Sequence, residues 1–182
     1  MKASEVLMNE HRAVERVLKV LERSANQVDA GEAVPASIFE DSLDFLRNFA
    51  DKCHHGKEET ALFPAMEKVG IPMEQGPIAV MLAEHEQGRS YIKTMGEALE
   101  GYKRGDPAAR ARLAESARRY AALLTQHIKK EDTVLFPMAD RLLSDATQRD
   151  LVAEFDRIES EHIGPGVHEH YHHMIDELDS AG

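Results

Sequence analysis

A segment of eleven residues occurs twice in this chain. His54-His55-Gly56-Lys57-Glu58-Glu59-Thr60-Ala61-Leu62-Phe63-Pro64 and His127-Ile128-Lys129-Lys130-Glu131-Asp132-Thr133-Val134-Leu135-Phe136-Pro137 agree at seven positions, offset by 73 residues. The pair Glu10-His11 recurs as Glu84-His85, offset by 74. From His11 to His54 is 43 residues and from His85 to His127 is 42, which is a long helix out and back. The chain therefore reads as a helical hairpin written twice. Each half carries one His on its first helix and a His-x-x-x-Glu on its second.

Apolar periodicity agrees with this reading. Leu7, Val14, Leu18, Leu21 and Ala25 recur at helical spacing from Glu5 to Asp29, and Gly31 ends the run. A second helix opens at Pro35 and Ser37 and runs through His54 toward Phe63, where Pro64 is expected to kink or close it. The Gly70 to Pro77 stretch is a connection, and a third helix spans roughly Ile78 to Tyr102. Asp106-Pro107 is an N-cap followed by proline at the first helical position, starting a fourth helix toward Phe136 and Pro137. No alternating run is long enough for a strand. The predicted fold is all-α: an antiparallel up-down four-helix bundle over residues 1–142, with 143–182 as a short helical appendage packed on it.

The 182 residues fit one domain, and 42% hydrophobic residues suffice for a core. A formal charge of -11 with no basic run argues against nucleic acid and anionic membrane as partners. The amino terminus lacks the apolar region of a secretory signal, and no apolar stretch is long enough to span a bilayer. The single Cys53 rules out an internal disulfide framework and any multi-cysteine metal cluster. A cytoplasmic, reducing setting is the default expectation.

Ten histidines are the outstanding compositional feature, and the repeat explains four of them. Residues four apart on a helix share a face, so His54 with Glu58 and His127 with Glu131 can each grip one ion. A lone His-x-x-x-Glu is more often a surface pair. Here the same pair stands twice, on faces that also carry Phe45, Phe49 and Leu124, and each copy has an upstream His to match. Buried imidazoles and carboxylates need partners. Four imidazoles and two carboxylates suit a pair of first-row metal ions, with coordination positions left for a solvent-derived bridge and a small exogenous molecule. The two Leu-Phe-Pro triplets read as core packing followed by a helix stop. His55 has no counterpart in the second copy, where Ile128 stands, and is read as solvated or as a neighbour of the site, and Cys53 as buried or inert.

These residues resemble the haemerythrin-like, or HHE cation-binding, proteins, and the resemblance covers residue 4 to about 140. It implies a non-haem diiron site, oxo- or hydroxo-bridged, with His11, His54, Glu58, His85, His127 and Glu131 as ligands, manganese or zinc being alternative metals. It also implies binding of dioxygen, nitric oxide or peroxide, for sensing, scavenging or iron and oxidative-stress handling. Oxygen-carrying members place a second His four residues after the third-helix His, where this chain has Arg89. They place an Asp five residues past the fourth-helix His, which would be Asp132; the repeat favours Glu131 because it pairs with Glu58. A plain oxygen carrier is therefore the weaker expectation.

Five further histidines lie between His162 and His173, beyond a Gly164-Pro165-Gly166 break. The tail resembles the end of many cytosolic HHE proteins. His168 could supply a seventh ligand, or these histidines could be solvated or packed on the bundle. Three functions stay open: a diiron binding module, an oxidoreductase decomposing peroxide or reducing nitric oxide, and a zinc-binding structural bundle. Turnover would need a proton donor, for which Glu10, Glu84, Tyr120 and the tail histidines are candidates. Homo-oligomerisation also stays open.

Overall fold

The computed structural model describes residues 1–164 and 166–181, the side chain of His168 excepted, and among them every regular element is helical. Helix α1 is Ala3–Asp29 and α3 is Gly76–Lys103. Helix α2 runs without interruption over 36–68 and α4 over 107–142. Two further helices follow, α5 at Asp145–His162 and α6 at Val167–Ser180.

Local chemistry sets the boundaries. The Lys2 amide donates to Glu5 Oε2 at 2.8 Å, the Asp106 carboxylate accepts from the Ala108 amide at 3.0 Å, and the Ser144 hydroxyl accepts from the Thr147 amide at 3.2 Å. Each capping contact satisfies an amide that the first helical turn leaves without a partner. Gly31 and Gly105 close α1 and α3 at φ +84° and +77°, where a β-carbon is strained.

Pro64 and Pro137 do not stop their helices, contrary to expectation: α2 continues to Lys68 and α4 to Leu142. Just before each proline the helix widens into a π turn, at Glu58–Leu62 and at Glu131–Leu135. The wider winding moves the carbonyl that a proline ring would strike and absorbs the missing amide. A third wide segment, Leu46–His55, precedes the first. Both Glu58 and Glu131 thus sit at the start of a π turn.

Helix α3 packs along α4, α1 also packs along α4, and α5 and α6 lie against α1 and α2. Gly101 lets α3 approach α4, since a β-carbon there would collide with the Ala109 methyl. The apolar interior forms two layers. One includes Val14, Leu18, Leu21, Phe45, Phe49, Tyr120 and Leu124, and Tyr171 and Ile175 of α6 join it. The other includes Leu7, Phe63, Met66, Leu135 and Phe136, and Leu151 and Phe155 of α5 join it. On α1 the boundary between the layers falls between Leu7 and Val14, and His11 occupies it. No helix among the described residues is long and apolar enough to cross a membrane.

Candidate metal centre

Between the two apolar layers, all six residues of the duplicated motif converge. Ligand atoms of His11, His54, Glu58 and Glu131 lie within 4.8 Å of one another, and so do those of His85, His127, Glu58 and His55. Glu58 belongs to both groups. Its Oε1 is 3.5 Å from His54 Nε2 and its Oε2 is 3.4 Å from His85 Nε2. Glu131 repeats the pattern, with Oε1 3.2 Å from His127 Nε2 and Oε2 3.2 Å from His11 Nε2. Each carboxylate thus offers one oxygen to an imidazole of each half.

Outside this ring, every one of the four imidazoles donates its Nδ1–H to a carboxylate. His54 donates to Glu10 at 2.7 Å, His127 to Glu84 at 2.8 Å, His85 to Glu59 at 2.7 Å and His11 to Asp132 at 2.6 Å. These contacts fix each ring so that Nε2 faces the centre, the arrangement that metal-ligating histidines use. They also obey the repeat: Glu10 corresponds to Glu84, and Glu59 to Asp132. Lys57 binds Glu10 and its counterpart Lys130 binds Glu84. Phe136 stacks on His11 with ring centroids 5.4 Å apart, and Phe63 on His85 at 6.1 Å. The Leu-Phe-Pro phenylalanines therefore wall the imidazoles while packing the core, and they mark no helix end.

The sequence reading left three things out, and one signal covers two of them. The carboxylates behind the imidazoles and the lysines behind two of those carboxylates recur in both halves with charge retained. Extending the repeat comparison beyond the six ligand candidates would have found them. Asp132, the rival of Glu131, is accounted for in this way: it holds His11 from outside and takes Arg12, while Glu131 is fully buried among the imidazoles. Arg89, where oxygen carriers have a histidine, bonds Asp51 at 2.9 Å and Glu59 at 2.8 Å and so steadies the carboxylate behind His85.

The third is the place of His55, expected to be solvated or a neighbour of the site. It is buried, its ring stacks on His85 with centroids 3.8 Å apart, and it shares the group with His85 and His127. Five imidazoles, not four, reach the centre. No repeat signal could show this, because Ile128 occupies the matching position. Of the tail histidines, His162, His170, His172 and His173 are exposed. The side chain of His168, the expected seventh ligand, lies outside the described residues. Among the suggested proton donors, Glu10 and Glu84 are engaged with His54 and His127. The buried Tyr120 hydroxyl has no hydrogen-bond partner among the described residues, and burial raises its pKa.

The electrostatics show what the centre favours. All four oxygens of Glu58 and Glu131 are buried without a hydrogen-bond partner among the described residues, as are His11 Nε2 and His54 Nε2. Buried anionic oxygens in this state are costly unless a cation lies among them. In the metal-free chain protons take that role. Burial pushes the His11 imidazole down, but Asp132 and Glu131 outweigh it and hold the group up at about 9. Burial likewise opposes protonation of His127, and Glu131 and Glu84 override it, to about 10. Burial raises Glu131, yet His127 and His11 hold it well below the carboxylate range. His55 is pushed far down, first by burial and then by His85, His54 and His127, so it stays neutral.

A pH dependence follows. His11 and His127 titrate above the ordinary 6.5 in the folded chain, so their contribution to metal-free stability is complete below pH 6.5 and lost as pH rises through about 9 to 10. A metal ion needs the unprotonated nitrogens, and His85 too is raised by Glu58 and Glu59 against burial, so loading at pH 7 is expected to release at least about two protons per chain, and affinity should climb from pH 7 to about 10. Titration calorimetry in buffers of different ionisation enthalpy measures this release. Proton-neutral, pH-independent binding would contradict the assignment.

The chain is similar to known proteins over the stretch that carries these residues. The family described as Hemerythrin HHE cation binding domain matches residues 2–139. Among curated proteins, "Uncharacterized protein Mb2018" of Mycobacterium bovis and "Uncharacterized protein Rv1995" of Mycobacterium tuberculosis are each 28% identical over 162 residues. That alignment covers 89% of this chain and 63% of each relative, so the chain spans under two thirds of their length.

Proposed function

Since the chain belongs to the Hemerythrin HHE cation-binding domain family, we propose that it holds a pair of iron ions and binds dioxygen, nitric oxide or peroxide for sensing, scavenging or the handling of iron and oxidative stress. One observation carries the reading: four buried carboxylate oxygens, without hydrogen-bond partners among the described residues, stand between imidazole nitrogens from both halves of the chain. Nitrogen and carboxylate donors in this ratio suit first-row ions. Iron would supply the electrons for reversible binding or reduction of a small oxidant. The protein's part is to fix the five imidazoles, share Glu58 and Glu131 between the two ion positions, and exclude bulk water with Phe63 and Phe136.

The two positions are unequal. His55, His85 and His127 would serve one, and His11 and His54 the other. The position with two imidazoles would be held by fewer nitrogens and more by carboxylate oxygen, and is where an exogenous molecule would bind. The reading includes the up-and-down order of α1 to α4 with α5 and α6 as an appendage, and a reducing cytoplasmic setting in keeping with the buried, free Cys53. Burial holds that thiol up at about 12, so it is inert.

Metal content and optical spectrum before and after exposure to oxygen test the proposal. Two irons per chain and visible bands that change with oxygen are expected; zinc, with a colourless spectrum, would replace it with a structural role. Steady-state consumption of peroxide or nitric oxide then separates a turning-over enzyme from a binding module. The place of His55 has its own test. Losing the hydrogen-bonding partner of a ligand costs about 10–100-fold in metal affinity, the range expected for Asp132→Asn. His55→Ala is expected to exceed that range for one ion and spare the other, read by stepwise chelator competition. Equal, small losses at both would return His55 to a packing role.

A further inference from the structure

The two copies of the Glu–His–Lys unit are alike in sequence and unlike in setting. Glu84 and Lys130 are open to solvent, with side-chain exposures of 15% and 42%. Lys57 is completely buried and Glu10 nearly so, because α5 lies over them and its Glu159 takes the second side of the Lys57 ammonium at 2.9 Å. Beside this covered copy a cleft of about 240 Å³ enters the protein, lined by Asn9, Glu10, Ala13, Phe49, Glu159 and His172 among others. Glu10 forms part of its wall and holds His54 Nδ1. The cleft therefore ends one carboxylate and one imidazole away from the centre, on the side of His11 and His54, the position with fewer nitrogens.

We propose that this cleft is the entrance through which a small uncharged molecule reaches the metal pair, and that its charge turns anions away. Ala13 and Phe49 give it an apolar wall, which suits dioxygen, nitric oxide or hydrogen peroxide. Its two carboxylates, Glu10 and Glu159, share the single ammonium of Lys57, so the three groups sum to one negative charge. Beside an apolar wall that charge repels an entering anion. The inference rests on the iron-pair reading and adds the route and the class of ligand admitted.

The test uses the full chain loaded anaerobically with ferrous iron, with iron content measured first. Association of nitric oxide and of azide is then followed by stopped-flow absorbance. Asn9→Trp, at an exposed helical position on the cleft wall, is expected to slow both ligands several-fold at unchanged iron content. Ala83→Trp, exposed beside the open Glu84 copy, is expected to leave both rates alone. Glu159→Gln is expected to raise the azide rate relative to the nitric oxide rate by about fivefold, reading the charge separately from any loosening of α5. Wild-type rates in the Asn9 variant, or slowing by Ala83→Trp instead, would overturn the route. An unchanged azide-to-nitric-oxide ratio in Glu159→Gln would overturn the charge filter. A chain that takes up no iron would overturn the iron-pair reading itself, and the route with it.

Discussion

Replacing Lys57 by methionine is expected to lower the folding stability of the metal-free chain by about 3–5 kcal/mol, whereas the same change at Lys130 should cost less than about 1 kcal/mol. The two lysines hold matching places in the repeat, and each binds the glutamate that fixes a metal-facing imidazole. What separates them is water. Lys57 is fully buried between Glu10 and Glu159, so losing it leaves the buried Glu10 carboxylate with His54 alone and strips Glu159 of its ammonium. Burial raises the Glu10 pKa, while His54 and Lys57 together hold it down. At Lys130 the ammonium is 42% exposed and solvent replaces it. For a chain of this size the Lys57 loss corresponds to a fall in Tm on the order of 10 °C. Equal effects in urea unfolding of the two variants would show that α5 does not seal the first copy.

Glu58→Gln and Glu131→Gln are each expected to abolish tight binding of both ions, because each carboxylate presents one oxygen toward either half of the centre. The metal-free Glu131→Gln variant should also fold less stably than the parent, because His11 and His127 lose the buried carboxylate that holds their protons. The stabilisation that metal adds to the parent, about 3–4 kcal/mol at a hundred- to thousandfold excess over Kd, should vanish in both. Metal analysis together with thermal unfolding, with and without ferrous iron, reads the two effects separately. A variant that kept one ion at parental affinity would show that its carboxylate serves a single position.

Much of this was legible before any coordinate. The duplicated His-x-x-x-Glu and the matching Glu-His pairs named six residues that do come together, because helical spacing puts i and i+4 on one face and a repeat must present the same face twice. The two prolines misled, since proline is read against an ordinary α-helix and these helices widen just before it. Glu131 and Asp132 could not be separated on spacing alone. Their roles differ by which side of the imidazole layer each carboxylate approaches.

Covalent sequence, through the 3.6-residue period and an internal repeat, determined the helices and the six residues that converge, His11, His54, Glu58, His85, His127 and Glu131. Tertiary structure alone decided the asymmetry laid over that symmetry. Neighbours on a helix point in different directions, so whether His54 and His55 both reach the centre depends on how their wide helical segment is turned toward it, and that is a property of packing. The burial of Lys57 likewise comes from α5, a segment without a counterpart in the repeat. Identical local chemistry became one covered and one more exposed copy because only one of them has a helix lying over it.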